Sequence, residues 1–191
     1  MLVLASASPR RADLLRAAGL RFVVAPVECD ERWVSCEAPA AYAARVARQK
    51  AALAVPAHPG AVILAADTTV WLAAGSPPIG KPAGRAEAAE ILRSLAGRSH
   101  LVTTAFAIAD ARGSSVTWLE REVTTRVHMR PVPADELAAY LDADDWRDKA
   151  GGYGIQSRAA GIVTAIEGSY TAVVGLPLAE VLVALRGLGV A

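Results

Sequence analysis

The chain has 191 residues, 53% of them hydrophobic but only 5% aromatic, and a formal net charge of +1 at pH 7. That length sustains one substantial core without demanding a second domain, and the near-neutral balance argues against a general nucleic-acid or membrane-surface role, which would need a basic excess. No apolar run reaches membrane-spanning length, the first apolar run precedes its charges, the wrong order for a signal peptide, and Cys29 and Cys36 have neither zinc spacing nor a disulfide framework around them; a cytoplasmic protein is expected.

Leu2-Val3-Leu4-Ala5 reads as a buried strand, and Ala12 to Ala18 as a helix stopped by Gly19. Between them lies Ser6-Ala7-Ser8-Pro9-Arg10-Arg11. Ser8 suits the N-cap and Pro9 the first helical position. The next two positions should favour acids, because a helix N-terminus carries partial positive charge, yet they hold Arg10 and Arg11. An anion resolves that conflict: free amides, serine hydroxyls and guanidinium forks together suit phosphate oxygens. The plain alternative is a surface helix start with two solvated arginines.

A second strand is expected at Phe22–Ala25, followed by a loop carrying Glu28, Asp30 and Glu31. The loop is either a site for a hard divalent cation, which prefers carboxylate oxygens, or an ordinary solvated turn. Pro39 to Val55 is helical, with Tyr42, Val46, Lys50 and Leu53 on one face. Lys50 interrupts that apolar stripe, either snorkelling at the core edge or aimed into a pocket; periodicity does not choose.

Ala61 to Ala66 is apolar without alternation, the pattern of a strand buried on both faces at the centre of an α/β sheet. Asp67 follows, then Thr68 and Thr69, and ligands in open α/β sheets bind beyond the carboxyl ends of strands. An acid there suits a metal ligand or general base, against the alternative of a turn cap. Gly75, Pro77 and Pro78 mark a turn, and Lys81 precedes Pro82 and a helix over 84–95. Two long β-prone segments, His100–Ala109 and Val116–Met129, form a hairpin; Thr103, Thr124 and Thr125 are read as strand formers and His100 as structural. After a helix over 133–143 comes Lys149-Ala150-Gly151-Gly152-Tyr153-Gly154-Ile155-Gln156. Its glycines allow close approach of a bound molecule, and Gln156 can both donate and accept at a base edge, unless the segment is a bare turn. Strands at 161–166 and 170–174 and a helix opened by Gly175-Leu176-Pro177 complete one domain.

SASPRR at 6–11, AADTTV at 65–70, GKP at 80–82, the G-x-x-H of 97–100, KAGGYGIQ at 149–156 and GSYTAVVGLP at 168–177, six motifs in order over nearly the whole chain, resemble the Maf family. The resemblance implies an α/β fold, an elongated mixed β-sheet flanked by helices, with a cleft between two lobes as in inosine triphosphate pyrophosphatases. It implies a nucleoside triphosphate pyrophosphatase releasing the monophosphate and pyrophosphate, a divalent cation (Mg or Mn), and a homodimer. Asp67 then corresponds to the proton acceptor. Ser6, Ser8, Arg11, Lys50 and Lys81 correspond to substrate-binding positions, and Glu31 with Asp67 to metal positions. Arg10, Thr68 and Gln156 match the type resembling dTTP/UTP pyrophosphatases, whereas the sister type, resembling 7-methyl-GTP pyrophosphatases, tends to have tryptophan and glutamine at the first two. Ala105, where glycine is common after Thr104, and the Pro77-Pro78 loop depart from the pattern without touching a motif residue. Two other readings are a pyrophosphatase for modified purine nucleotides and, because the family is linked to septum formation, a non-catalytic nucleotide-sensing regulator of cell division. The presence of every acid and lysine of the motif set favours catalysis.

Overall fold

The computed structural model describes residues 1–34, 36–73 and 76–190; Gly75 of the expected turn lies outside them. Six strands and six α-helices follow one another as β1 (Leu2–Leu4), α1 (Pro9–Ala17), β2 (Val23–Val24), α2 (Pro39–Ala54), β3 (Val62–Trp71), α3 (Arg85–Leu95), β4 (Ser99–Asp110), β5 (Thr117–Met129), α4 (Ala134–Asp142), β6 (Val163–Glu167), α5 (Tyr170–Val174) and α6 (Leu178–Gly187). The strands form one mixed sheet in the order β2-β1-β3-β4-β5-β6. β2, β1 and β3 are parallel, and β3 to β6 pair antiparallel. Among the described residues no helix is long and apolar enough to cross a membrane.

β1 and the first half of β3 are buried on both faces, as their unbroken apolar runs require, whereas Val23 and Val24 of the edge strand β2 are exposed. Leu2, Leu4, Leu64 and Phe106 pack with Leu15 of α1 and Leu185 of α6 on one face. On the other, Val3, Ile63 and Ala65 meet Ala43, Ala47 and Ala51 of α2. Alanine against alanine lets α2 sit close to the sheet. The expected stripe on α2 is only partly present: Val46 and Lys50 are buried, but Leu53 is 53% exposed and Tyr42 half-buried, because the contact is made by alanines instead. A third core, around Leu95, Val127, Tyr140 and Trp146, fills the far end of the antiparallel half.

Two expected boundaries move. The strand thought to end at Ala66 runs on to Trp71, so Asp67 and Thr68 lie inside β3, paired with Ala105 and Thr104 of β4. The carboxyl end that matters belongs to β1, whose register against β3 stops at Leu4 opposite Leu64. Among the described residues, β3 beyond that point has a ladder on one side only, with a single bridge from Val70 to Ile79 on the other. The segment 170–174, expected as a strand, is the helix α5. Gly168 turns the chain at φ +128°, and Ser169 Oγ accepts from the amide of Ala172 at 3.2 Å. That local cap overrides the β preference of Thr171, Val173 and Val174.

Candidate active site

Alternation along β3 sorts its side chains. Ile63 and Ala65 face α2, so Asp67, two residues on, faces α2 as well; Leu64 and Ala66 face α1 and α6, and so Thr68 points toward α1. From the buried face of α2, Lys50 reaches Asp67. Its Nζ lies 2.8 Å from Oδ1 of Asp67 and 2.7 Å from Oε1 of Glu31. Glu31 arrives from the loop after β2, where Tyr42 of α2 donates to its backbone carbonyl at 2.8 Å. The ambiguity over Lys50 is resolved: its ammonium enters a cleft.

The two carboxylates that share this ammonium are driven in opposite directions. Burial dominates at Asp67 and raises its proton affinity above that of an ordinary aspartate, although Lys50 and Arg11 pull the other way. Burial also acts on the more exposed Glu31, but there the hydrogen bond and charge of Lys50 win and hold it low. At Lys50 desolvation works against the charge, and Asp67 and Glu31 together outweigh it, leaving the ammonium firmly protonated. The shared ammonium thus leaves two neighbouring carboxylates with proton affinities pushed apart, the arrangement from which acid–base pairs are built.

On the α1 side, Arg11 is buried and largely committed to protein partners. Nε donates to the carbonyl of Gly175 at 2.8 Å, Nη1 to Oγ of Ser6 at 2.9 Å and Nη2 to Oγ1 of Thr68 at 3.2 Å. Ser6 also accepts from the amide of Ser8 at 3.3 Å. The expected Ser8 cap is absent: Ser8 holds the N-cap position with extended backbone, but its hydroxyl makes no cap bond. Thr68 Oγ1 is 2.9 Å from Oγ1 of Thr104, which donates onward to the carbonyl of Ala172 at 2.7 Å.

The opposite wall is the segment from 148 to 156. Gly151 and Gly152 both take positive φ, 73° and 68°, and a Cβ on Gly151 would come within 3.1 Å of Val70 on β3. Gly151 therefore lets this wall pack against the sheet, while Gly152 abuts Pro82, Trp146 and Leu92. His100 of β4 anchors it: its Nε2 is 2.6 Å from the hydroxyl of Tyr153, with the rings edge to face. Burial lowers the His100 pKa to about 4, so it is neutral, and its Nδ1 has no partner among the described residues. Across the cleft Arg10 extends to the carbonyl of Asp148 at 3.4 Å.

One cleft is lined by Arg10, Arg11, Lys50, Asp67, Thr68 and Gln156, with Lys81 at the same opening. Glu31 joins Asp67, Thr68 and Lys81 along its continuation. Residues named from the sequence thus converge from six separate segments of the chain. Ser6 and Ser8 do not line it; Ser6 stands behind Arg11. Two contributors were not among the site residues named from the sequence. Thr104 reads as one more β-former, and Gly175 as a helix-opening turn, yet Gly175 sits at φ +129° with its carbonyl on Arg11.

No group of three histidine, cysteine or acidic side chains that could cage a metal occurs among the described residues. Asp67 and Glu31 nevertheless aim hard oxygen donors at one cationic position, now held by Lys50. That donor set fits Mg²⁺, which commonly takes one or two carboxylates and completes its shell with phosphate oxygens and water.

The sequence profile described as Maf-like protein matches residues 1–188. The chain belongs to the Maf family. Among its curated relatives is the dTTP/UTP pyrophosphatase of Hyphomonas neptunium, 49% identical over 189 residues that cover 98% of this chain and 95% of that protein. The dTTP/UTP pyrophosphatase of Roseobacter denitrificans is 45% identical, covering 99% of this chain and 97% of its own. That of Myxococcus xanthus is 42% identical over 99% and 93%. The matched stretches span every element lining the cleft.

Proposed function

We propose that this Maf protein hydrolyses dTTP and UTP to the nucleoside monophosphate and pyrophosphate. The relatives above support the substrate class, and the observation that carries the chemistry is the Lys50 ammonium shared by Asp67 and Glu31 inside a cleft with further cations on its rim. The triphosphate lies along Lys50, Lys81 and the remaining N–H groups of Arg11, whose fork is held rigid by Ser6, Thr68 and Gly175. Asp67 accepts a proton from water as its oxygen attacks the α-phosphorus; the bond to the β-phosphate breaks and pyrophosphate leaves. Mg²⁺ or Mn²⁺, held by Asp67 and Glu31 together with phosphate oxygens, would supply Lewis-acid polarisation of the phosphoryl group. Arg10 of α1, Thr68 of β3 and Gln156 of the opposite wall, all lining the same cleft, read the base.

The test is pyrophosphate release from a panel of dTTP, UTP, CTP and GTP with Mg²⁺. Release should be fastest with dTTP and UTP. Asp67→Asn should lose about 10²–10⁴-fold in turnover, the usual worth of a general base, while remaining folded. No release from any nucleotide, or an Asp67→Asn variant at the wild-type rate, would overturn the reading.

A further inference from the structure

Thr68 has one hydroxyl hydrogen and two lone pairs, and its surroundings leave no choice about how they are used. Arg11 cannot accept, so the 3.2 Å contact from its Nη2 consumes one lone pair of Thr68. Thr104 spends its own single hydrogen on the Ala172 carbonyl at 2.7 Å. In the 2.9 Å contact between the two hydroxyls Thr104 must therefore accept, and Thr68 must donate. One lone pair of Thr68 is left, and Thr68 lines the cleft.

We propose that Thr104 is a positioning residue for base selection: by taking the hydroxyl hydrogen of Thr68 it makes Thr68 present only an acceptor to the base. Uracil and thymine carry an N–H donor at ring N3, where cytosine carries a bare acceptor nitrogen. A threonine free to rotate its hydroxyl would serve either ring. One whose hydrogen is held from behind satisfies the imide N–H and meets cytosine N3 lone pair to lone pair, leaving both buried acceptors unpaired. Arg11 works in the same direction, since a cation donating to Thr68 from the other side prevents the hydroxyl from turning round. The hydrogen-bond order Arg11 to Thr68 to Thr104 to the Ala172 carbonyl thus gives a residue outside the cleft lining a say in which pyrimidine is accepted.

This rests on the reading of the cleft as a pyrimidine triphosphate site, and the experiment separates the two. Wild type, Thr104→Val, Thr104→Ala and Thr104→Ser are compared for kcat and KM on UTP and CTP, with melting temperatures alongside. The carbonyl of Ala172 keeps the amide of Gly175 at 3.0 Å in every variant, so the fold should survive. Valine and alanine cannot accept, freeing the Thr68 hydrogen to turn into the cleft; the preference for UTP over CTP should fall by about tenfold, the worth of one misdirected buried hydrogen bond, and the change should lie in KM. Serine keeps the acceptor and should keep the preference. An unchanged ratio in both valine and alanine variants, an equal loss with serine, or a uniform slowing on both nucleotides would overturn the proposal. A wild-type protein inert towards both would instead overturn the pyrophosphatase reading.

Discussion

Lys50 Nζ lies 2.8 Å from Oδ1 of Asp67, and each of the two side chains is only 10% exposed. A pair this enclosed is a poor source of net stability but a costly one to break from one side, since the survivor stays charged without its partner. Lys50→Met should destabilise the protein by about 1–3 kcal/mol, below the usual figure for a fully buried pair because the cleft admits water, and should abolish most turnover. Lys50→Met combined with Asp67→Asn should regain much of that stability while remaining inactive. Urea midpoints for the four species of the double-mutant cycle check this; additive losses would mean the two residues are not coupled.

His100 supplies a pH dependence of stability with a definite sign. Its pKa is lowered from the ordinary 6.5 to about 4 because burial disfavours the imidazolium. The unfolded chain then binds the proton more tightly than the folded one, so the contribution is complete above pH 6.5 and is lost as pH falls from there to 4. The loss amounts to roughly 3 kcal/mol. His100→Gln should flatten this limb: the stability gap between wild type and variant, measured by denaturant unfolding, should narrow as the buffer is taken from pH 7 to 4.5.

Gly168 and Gly175 share the same unusual backbone, φ +128° and +129°, yet should differ in response to alanine. A Cβ on Gly175 would rest 3.6 Å from Oγ1 of Thr68, an ordinary contact. Its cost should be that of the strained backbone, about 1–3 kcal/mol, with activity falling through displacement of Arg11. A Cβ on Gly168 would stand 2.8 Å from Oγ1 of Thr125 and 3.2 Å from its Cα. Thr125 is fixed in β5 and accepts from the amide of Ser169, so the clash cannot relax cheaply. Gly168→Ala should show the larger drop in melting temperature, although the residue is outside the cleft.

Gln156 and Arg10 stand on walls that no ladder holds, and removing either should alter selection more than rate. Gln156→Ala should raise KM for dTTP and UTP by about tenfold, the worth of one lost hydrogen bond at a recognition edge, with kcat nearly unchanged. Steady-state kinetics on both nucleotides check this; a collapse of kcat with constant KM would place Gln156 in the chemistry instead.

Much of this site was legible from residue types alone. Asp67 after a run of six apolar residues, Lys50 on an apolar helix face and two arginines at a positive helix end each broke a local rule, and each break proved to face the cleft. What the sequence concealed lay in relationships between distant segments. The continuation of β3 past Ala66 depends on β4 supplying a partner strand, which no local pattern reveals. The helix at 170–174 depends on a serine cap outweighing side chains that favour strands. Thr104 carries no mark at all, because its importance comes from a carbonyl 68 positions later accepting its hydrogen.

The bond from Arg11 Nε to the Gly175 carbonyl joins positions 164 residues apart. A chain emerging from the ribosome can pair β1 with β3 and seat α2 once about a third of its length is made. It cannot fix the Arg11 fork until nearly all of it has been made. The Arg11 fork is therefore completed only when synthesis is almost finished, and a product truncated before α5 would lack the carbonyl that its Nε reaches.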